Sequence, residues 1–123
     1  MAVTIDLGDE TNIHPKDKKP TGDRLLRLAI NNVYKAKENP EQLGFPTARN
    51  IEHLENKLVI NFDNCGSGFL PVEGDLPGFE IGDAEGNYVT VEAELTEPNS
   101  VTLLCQKPIP STVRYLWEGY AKN

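Results

Sequence analysis

The fold class follows from residues 88–105, which read YVTVEAELTEPNSVTLLC. Apolar side chains occupy every second position in the first half of this stretch, at Val89, Val91, Ala93 and Leu95. A turn cluster at residues 97–100 leads into a second alternation at Val101, Leu103 and Cys105. A period of two residues is typical of a half-buried β-strand. The stretch therefore predicts two strands joined by a turn.

Further short strand patterns lie on both sides of it, at residues 58–62, 69–72, 79–81 and 113–117. Residues 83–86 have the composition of a hairpin turn, because Gly86 can adopt a positive φ. Turn signals at intervals of about 8–12 residues are typical of antiparallel sandwiches. We therefore predict a mainly β chain in which residues 57–123 form a small antiparallel β-sandwich.

The N-terminal third of the chain has a different pattern. Residues 3–7 alternate like a strand, and residues 22–37 carry an apolar stripe with helical spacing, formed by Leu25, Leu28, Ala29 and Val33. Such an amphipathic helix must pack against another surface, and Pro40 is expected to end it. The predicted organisation is a strand, a histidine-bearing segment and a helix over 1–39, a connection over 40–56 and the sandwich over 57–123.

Composition argues against several kinds of partner and cofactor. The chain has 123 residues and a formal net charge of −7, so no general attraction to nucleic acid is expected. No apolar run reaches the length that crosses a bilayer, so no membrane partner is expected either. Cys65 and Cys105 fit no metal-binding spacing, and we predict neither a metal nor another cofactor. The two cysteines are compatible with one disulfide, with a pair of buried thiols or with two unrelated positions.

His14 is the residue with the clearest chemical potential. It precedes Pro15, and proline is favoured at the first position of a helix, so this pattern places His14 at the helix cap. The positive end of the helix dipole disfavours a second positive charge there. A neutral imidazole can accept a proton, as a general base must. The alternative is that His14 is a polar cap on an ordinary helix.

Several segments of the chain resemble the SGNH-type carbohydrate O-acetylesterases, in particular the sialate O-acetylesterase and related xylan acetylesterase group. The N-terminal part of the resemblance consists of the strand-like residues 3–8, Asn12-Ile13-His14-Pro15, Lys16 and Lys18, Gly22 and Arg24-Leu25. Its later part consists of residues 66–70, 78–81 and 113–117. The resemblance therefore covers nearly the whole chain.

This resemblance implies that residues 1–39 are the last strand and helix of an SGNH α/β catalytic domain. The chain is then expected to be the C-terminal part of a parent enzyme, periplasmic or secreted, whose N-terminal catalytic segment it lacks. The implied substrate is an O-acetylated sugar such as sialic acid, and the implied mechanism is a serine acyl-enzyme with His14 as the base. The serine and oxyanion-hole blocks of the family do not occur in this sequence. We therefore predict that the chain alone is inactive.

The acid that would orient His14 is the point where this sequence departs from the family. Most SGNH hydrolases place an aspartate three residues before the histidine, whereas this chain has Thr11. The adjacent Asn12 offers an uncharged carbonyl oxygen, and Asp9 or Glu10 offers a carboxylate through the geometry of the loop. A serine–histidine dyad without a third member is the remaining alternative.

Other candidate residues have simpler interpretations. Ser67 lacks the glycines two residues to either side that a nucleophile elbow requires, so it is expected to be a turn residue. Glu92 and Glu94 are expected to lie on a solvated strand face. Tyr88, Tyr115 and Trp117 are candidates for a sugar-stacking platform. A carbohydrate-binding or scaffolding sandwich without catalytic role therefore stays open as the alternative function.

Overall fold

The computed structural model describes residues 2–35, 44–70, 76–106, 110 and 112–119, and these residues include seven strands. The chain divides into two units, Met1–Phe45 with Glu118–Asn123 and Pro46–Trp117. We call them the N-terminal unit and the β unit. The strands are β1 Thr47–Leu54, β2 Lys57–Asp63, β3 Phe79–Gly82, β4 Tyr88–Thr90, β5 Ala93–Thr96, β6 Ser100–Leu104 and β7 Thr112–Tyr115.

The strands of the β unit form two antiparallel sheets. The first has the order β1-β2-β6-β5, and the second has the order β4-β3-β7. Their facing sides enclose the core, in which Leu103 has no exposed surface. The buried apolar residues come from both sheets: Leu58, Ile60, Phe79, Ile81, Ala93, Val101 and Leu103. The prediction of a mainly β chain with a small antiparallel sandwich is confirmed.

The stretch that alternates over residues 88–95 is divided between the two sheets. β4 ends at Thr90 and β5 begins at Ala93, and these strands belong to different sheets. At the corner between them, the Val91 amide donates to the Phe79 carbonyl at 3.1 Å, and the Glu92 carbonyl accepts from the Leu104 amide at 3.0 Å. The alternation predicts extended backbone correctly, but a period of two cannot reveal which sheet a strand joins.

Residues 47–54 form strand β1, although they were expected to belong to a connection. β1 pairs with β2 at the edge of the first sheet, with a shift of register between Ala48 and Asn50. All eight of its residues are exposed. A strand that is solvated on both faces has no need for an alternating pattern, and this explains why the sequence does not signal it.

The segment expected to form a strand over 69–72 is only partly described. Phe69 and Leu70 are not in a strand, and the remaining positions lie outside the described residues. Phe69 donates its amide to the Pro98 carbonyl at 2.6 Å, and its ring meets the edge of the Phe62 ring, with centroids 5.3 Å apart. Phe69 therefore contributes to packing without joining a sheet.

The N-terminal unit contains the predicted helix. Helix α1 spans Lys19–Ala29, with Pro20 in its first turn, and continues as a π-helical segment, Ile30–Tyr34. Lys35 ends it in the left-handed region, at φ 46°. No helix in the described part of the chain is long and apolar enough to span a membrane.

The prediction of a strand over residues 3–7 is wrong. These residues form a turn in which the Leu7 amide donates to the Thr4 carbonyl at 3.0 Å. The alternating pattern is present, but no described strand pairs with this segment, and an isolated strand leaves its backbone groups without partners.

The apolar stripe of the helix is largely exposed. No residue of α1 or of the π-helical segment is buried. The most exposed members of the stripe and its margins are Leu25 at 55%, Leu26 at 56%, Val33 at 71% and Tyr34 at 75%. Within the described part of the N-terminal unit, nothing covers the stripe that the amphipathic pattern predicts to be packed.

Candidate functional site

His14 lies on an exposed loop, residues 7–18, ahead of the helix. We call this segment the His14 loop. Helix α1 begins at Lys19 with Lys18 as its cap, so His14 does not cap the helix and Pro15 is not its first residue. The proline in the first turn of the helix is Pro20, its second residue. The field of the helix dipole falls off within the first turn, and His14 lies outside it, so neither the dipole argument nor the polar-cap alternative applies.

The predicted orienting residues, Asn12 and Asp9, both shape the His14 loop. The Oδ1 atom of Asn12 accepts a hydrogen bond of 2.8 Å from the backbone amide of His14. The Oδ1 atom of Asp9 accepts from both the amide and the hydroxyl of Thr11, each at 2.9 Å. These bonds lower the pKa of Asp9, the backbone bond from Thr11 contributing most. In the described loop, the bonds of Asn12 and Asp9 lead to the backbone and to Thr11, not to the imidazole.

A half-buried ion pair closes the base of the His14 loop. The two terminal nitrogens of Arg24 donate to the two carboxylate oxygens of Asp6, each at 2.5 Å. Nη1 of Arg24 also donates to the Val3 carbonyl at 2.7 Å. The hydrogen bond from Arg24 is the main cause that lowers the pKa of Asp6. The sequence contains both residues, but nothing in their spacing indicates that they meet.

Ser67 is a turn residue, as predicted. It is exposed between Gly66 and Gly68, which have φ values of 58° and 107°. The Gly68 amide closes the turn on the Cys65 carbonyl at 3.0 Å. A Cβ atom on Gly68 would lie 2.5 Å from the Pro98 carbonyl oxygen, so glycine is required for this close approach. The close approach to Pro98 therefore explains the glycine at position 68, and the turn contains no histidine or other general base that could activate Ser67.

The three candidate aromatic residues do not form one sugar-stacking platform. Tyr88 lies opposite Gly82 on one face of the second sheet, whereas Tyr115 packs on Phe79 on the other face, with ring centroids 4.4 Å apart. One side of the Tyr88 ring rests against Gly82, and the Arg114 guanidinium lies 3.7 Å from its centroid.

Arg114 is itself held by Glu80, with bonds of 2.7 and 3.1 Å, and lies on the same face as Tyr88. The hydrogen bond from Arg114 lowers the pKa of Glu80. Tyr88 and Arg114 are therefore engaged with their own sheet. Of the three aromatic candidates, Trp117 is the most exposed, at 73%.

An open cleft of about 1330 Å³ lies in the β unit. Its described lining is mostly apolar and includes no aromatic side chain. Glu92 lies at this cleft and is exposed, as is Glu94 of β5, so both are solvated as predicted, but Glu92 precedes β5 and is not on a strand. Stacking of a sugar ring requires an aromatic surface, so the cleft does not support the carbohydrate-binding alternative.

Both cysteines are free thiols in the described structure. Cys65 and Cys105 are half-buried, and burial is the main cause that raises the pKa of each. The disulfide alternative is therefore not adopted. Among the residues that the structure describes, no group of three or more histidine, cysteine or acidic side chains is arranged to hold a metal ion.

Comparison with known proteins relates this chain to an esterase. No protein-family model matches it, and no curated protein sequence matches it. Among solved structures it is similar to a carbohydrate acetylesterase from Xanthomonas citri, with 30% sequence identity and a TM-score of 0.75. The similarity covers 94% of this chain and 26% of that enzyme. The chain is therefore related to a carbohydrate acetylesterase and spans about a quarter of its length.

Proposed function

We propose that this chain is part of a carbohydrate esterase of the SGNH type that removes O-acetyl groups from sialic acid or other acetylated sugars. In this proposal it supplies the catalytic His14 but not the serine, and the chain alone is inactive. The observation that carries the proposal is the similarity to a carbohydrate acetylesterase over 94% of the chain. The likeness includes both units, because a match of this extent cannot be confined to the sandwich.

The proposed chemistry gives His14 two proton transfers. Its imidazole accepts the proton of a serine hydroxyl as the serine oxygen attacks the acetyl carbonyl. The proton then passes to the sugar oxygen as the ester bond breaks, leaving an acetyl-serine and a free sugar hydroxyl. Water hydrolyses the acetyl-serine by the same route and releases acetate. An exposed imidazole on a loop shaped by hydrogen bonds suits this role, because it is accessible to a serine from elsewhere in the parent.

We assign Asn12 and Asp9 to the orientation of His14. Asn12 acts through the backbone amide of His14, and Asp9 acts by fixing the conformation of Thr11, three residues before His14. Both contacts restrict the backbone on which the imidazole is carried. Neither contact requires an aspartate three residues before His14, where this chain has Thr11.

The exposed stripe of the helix is the proposed contact with the rest of the catalytic domain in the same parent. Leu25, Leu26, Val33 and Tyr34 each expose more than half of their surface. An apolar stripe of this kind is normally covered in a folded protein. The relation to an enzyme of about four times this length supports a covering segment from the same polypeptide.

The test compares the two histidines of the chain in the full-length protein that carries it. His14→Ala is expected to lower acetate release from an O-acetylated sialic acid by about 10²–10⁴-fold, the usual contribution of general acid–base catalysis. His53→Ala is the matched control, because His53 is an exposed residue of β1, and it should leave the rate unchanged. Equal activity of the two variants would refute the assignment of His14.

The 123-residue chain provides a second readout. We expect neither it nor its His14→Ala variant to hydrolyse p-nitrophenyl acetate above the background rate. Hydrolysis by the unmodified chain that disappears in His14→Ala would show that the chain has its own nucleophile. Ser67 would then be the next residue to replace.

A further inference from the structure

Arg24 connects the beginning of the chain to the helix. Its guanidinium engages both carboxylate oxygens of Asp6 at 2.5 Å and the Val3 carbonyl at 2.7 Å. The side chains of Arg24 and Asp6 are only 24% and 35% exposed, so the pair is less screened by solvent than a surface ion pair. A guanidinium can hold a carboxylate through two parallel bonds, which fixes orientation as well as distance.

Several hydrogen bonds within the His14 loop and at the start of the helix join residues that are close in sequence. The bonds accepted by Asp9, Asn12 and Asp17 each span two residues. Such bonds shape the His14 loop locally but do not attach it to the helix. The contacts of Arg24 with Val3 and Asp6 span 21 and 18 residues and therefore close the loop at its base.

We propose that Arg24 is a positioning residue for His14, acting through Asp6 and the Val3 carbonyl. The helix continues directly from the C-terminal end of the His14 loop, and Arg24 fixes the other end to that helix. With both ends attached to one rigid element, the loop samples fewer conformations and His14 stays near one position. The catalytic part of this inference rests on the proposed function. The anchoring of the loop by Arg24 does not depend on that function.

Nuclear magnetic resonance on the 123-residue chain tests the anchoring without any assay of activity. Arg24→Ala is expected to lower the ¹⁵N order parameters of residues 8–17 to values typical of a flexible segment, below about 0.6. Arg24→Lys should restore them only in part, because lysine cannot make the paired bonds. Arg27→Ala is the matched control, since Arg27 is an exposed arginine of the same helix. Unchanged order parameters in Arg24→Ala would overturn the proposal.

Asp6→Asn provides a second variant in case Arg24→Ala does not fold. It removes the carboxylate charge while keeping the size of the side chain, and it should loosen the same residues. Restoration of order in the exchanged pair Asp6→Arg with Arg24→Asp would show that the two side chains act through each other. The role of the pair is contradicted if both single variants fold and keep ordered loops, or if the exchanged pair does not recover the order that the single variants lose.

Kinetics of the full-length protein separate this inference from the proposed function. Arg24→Ala should lower kcat for acetate release about 10–100-fold with little change in KM, and Arg24→Lys should recover part of the loss. If His14→Ala has no effect, the proposed function fails whatever the loop does. If His14→Ala abolishes activity and Arg24→Ala leaves kcat unchanged, the function stands and the positioning role is refuted.

Discussion

The N-terminal unit and the β unit are ordered by different kinds of interaction. In the part of the β unit that the structure describes, seven buried apolar residues form a core between two sheets. No residue of α1 or of the π-helical segment is buried, and Arg24 makes long-range polar contacts with Asp6 and Val3. Burial of apolar area is the dominant favourable term in folding. We therefore expect the β unit to carry most of the stability of the chain, and the polar contacts to set the conformation of the His14 loop.

The largest difference between the two units is expected when a leucine is replaced by alanine in each of them. Leu103→Ala removes a side chain with no exposed surface from the sandwich core and should lower the free energy of unfolding by about 2–5 kcal/mol. Leu26→Ala acts on a side chain that is 56% exposed, and it should change the free energy of unfolding by no more than about 0.5 kcal/mol. Denaturant titration followed by circular dichroism measures both. Similar losses in the two variants would show that the helix stripe is packed in solution.

A smaller effect is expected from adding one methyl group to each unit. In Gly82→Ala the new Cβ would lie 2.5 Å from the Thr112 hydroxyl and 2.7 Å from the Tyr88 ring, so these side chains or the strand must shift, at a cost of about 1–3 kcal/mol. In Gly22→Ala the new Cβ has nothing within 4 Å. Alanine is favoured over glycine inside a helix by about 0.5–1 kcal/mol, so this variant should gain helicity. Thermal unfolding of the two variants should therefore shift in opposite directions, and a stabilised Gly82→Ala would contradict the packing described at Tyr88.

The smallest effect is a local response to acid. The Arg24 hydrogen bond holds the pKa of Asp6 below its ordinary value of 3.8, so folding favours the ionised carboxylate. The contribution is complete above the unfolded pKa and is lost as the pH falls through the lower, folded one. Amide resonances of residues 8–17 should therefore broaden or shift when the pH drops below about 3.8, ahead of those in the sandwich core. Asp6→Asn should abolish this response except at Thr11 and Asn12, whose amides donate to the carboxylate of Asp9. A response that persists at the other residues in Asp6→Asn would assign it to another acid.

Sequence reasoning found those parts of the fold that follow from periodicity. The alternation at β2, β3, β6 and β7 and the helical stripe are direct consequences of one buried or apolar face. The same reasoning missed β1, because a strand exposed on both faces has no alternation to detect. It also assigned a strand to residues 3–7, where the pattern is correct but the pairing partner is absent from the described chain.

The candidate site was predictable only in part for a related reason. His14, Asn12 and Asp9 lie close together in sequence, so a single local motif brings them to attention. The contact of Asp6 with Arg24 depends on how the loop closes in three dimensions. An 18-residue separation matches no local rule of helix or turn pairing, and the two residues are common in type. Such pairs become visible only once the backbone is known.

The corner between β4 and β5 has a consequence for how the sandwich specifies its strand pairing. Val91 is bonded to the second sheet and Glu92 to the first, and the two residues are consecutive. A slip of β4 by one residue against β3 would turn its side chains to the opposite face. Only Val91 and Glu92 separate β4 from β5, and each is hydrogen-bonded to a sheet. A slip of β4 would therefore force the same slip on β5 against β6. The corner therefore makes a misregistered strand costly in two sheets at once, and it selects a single alignment for both.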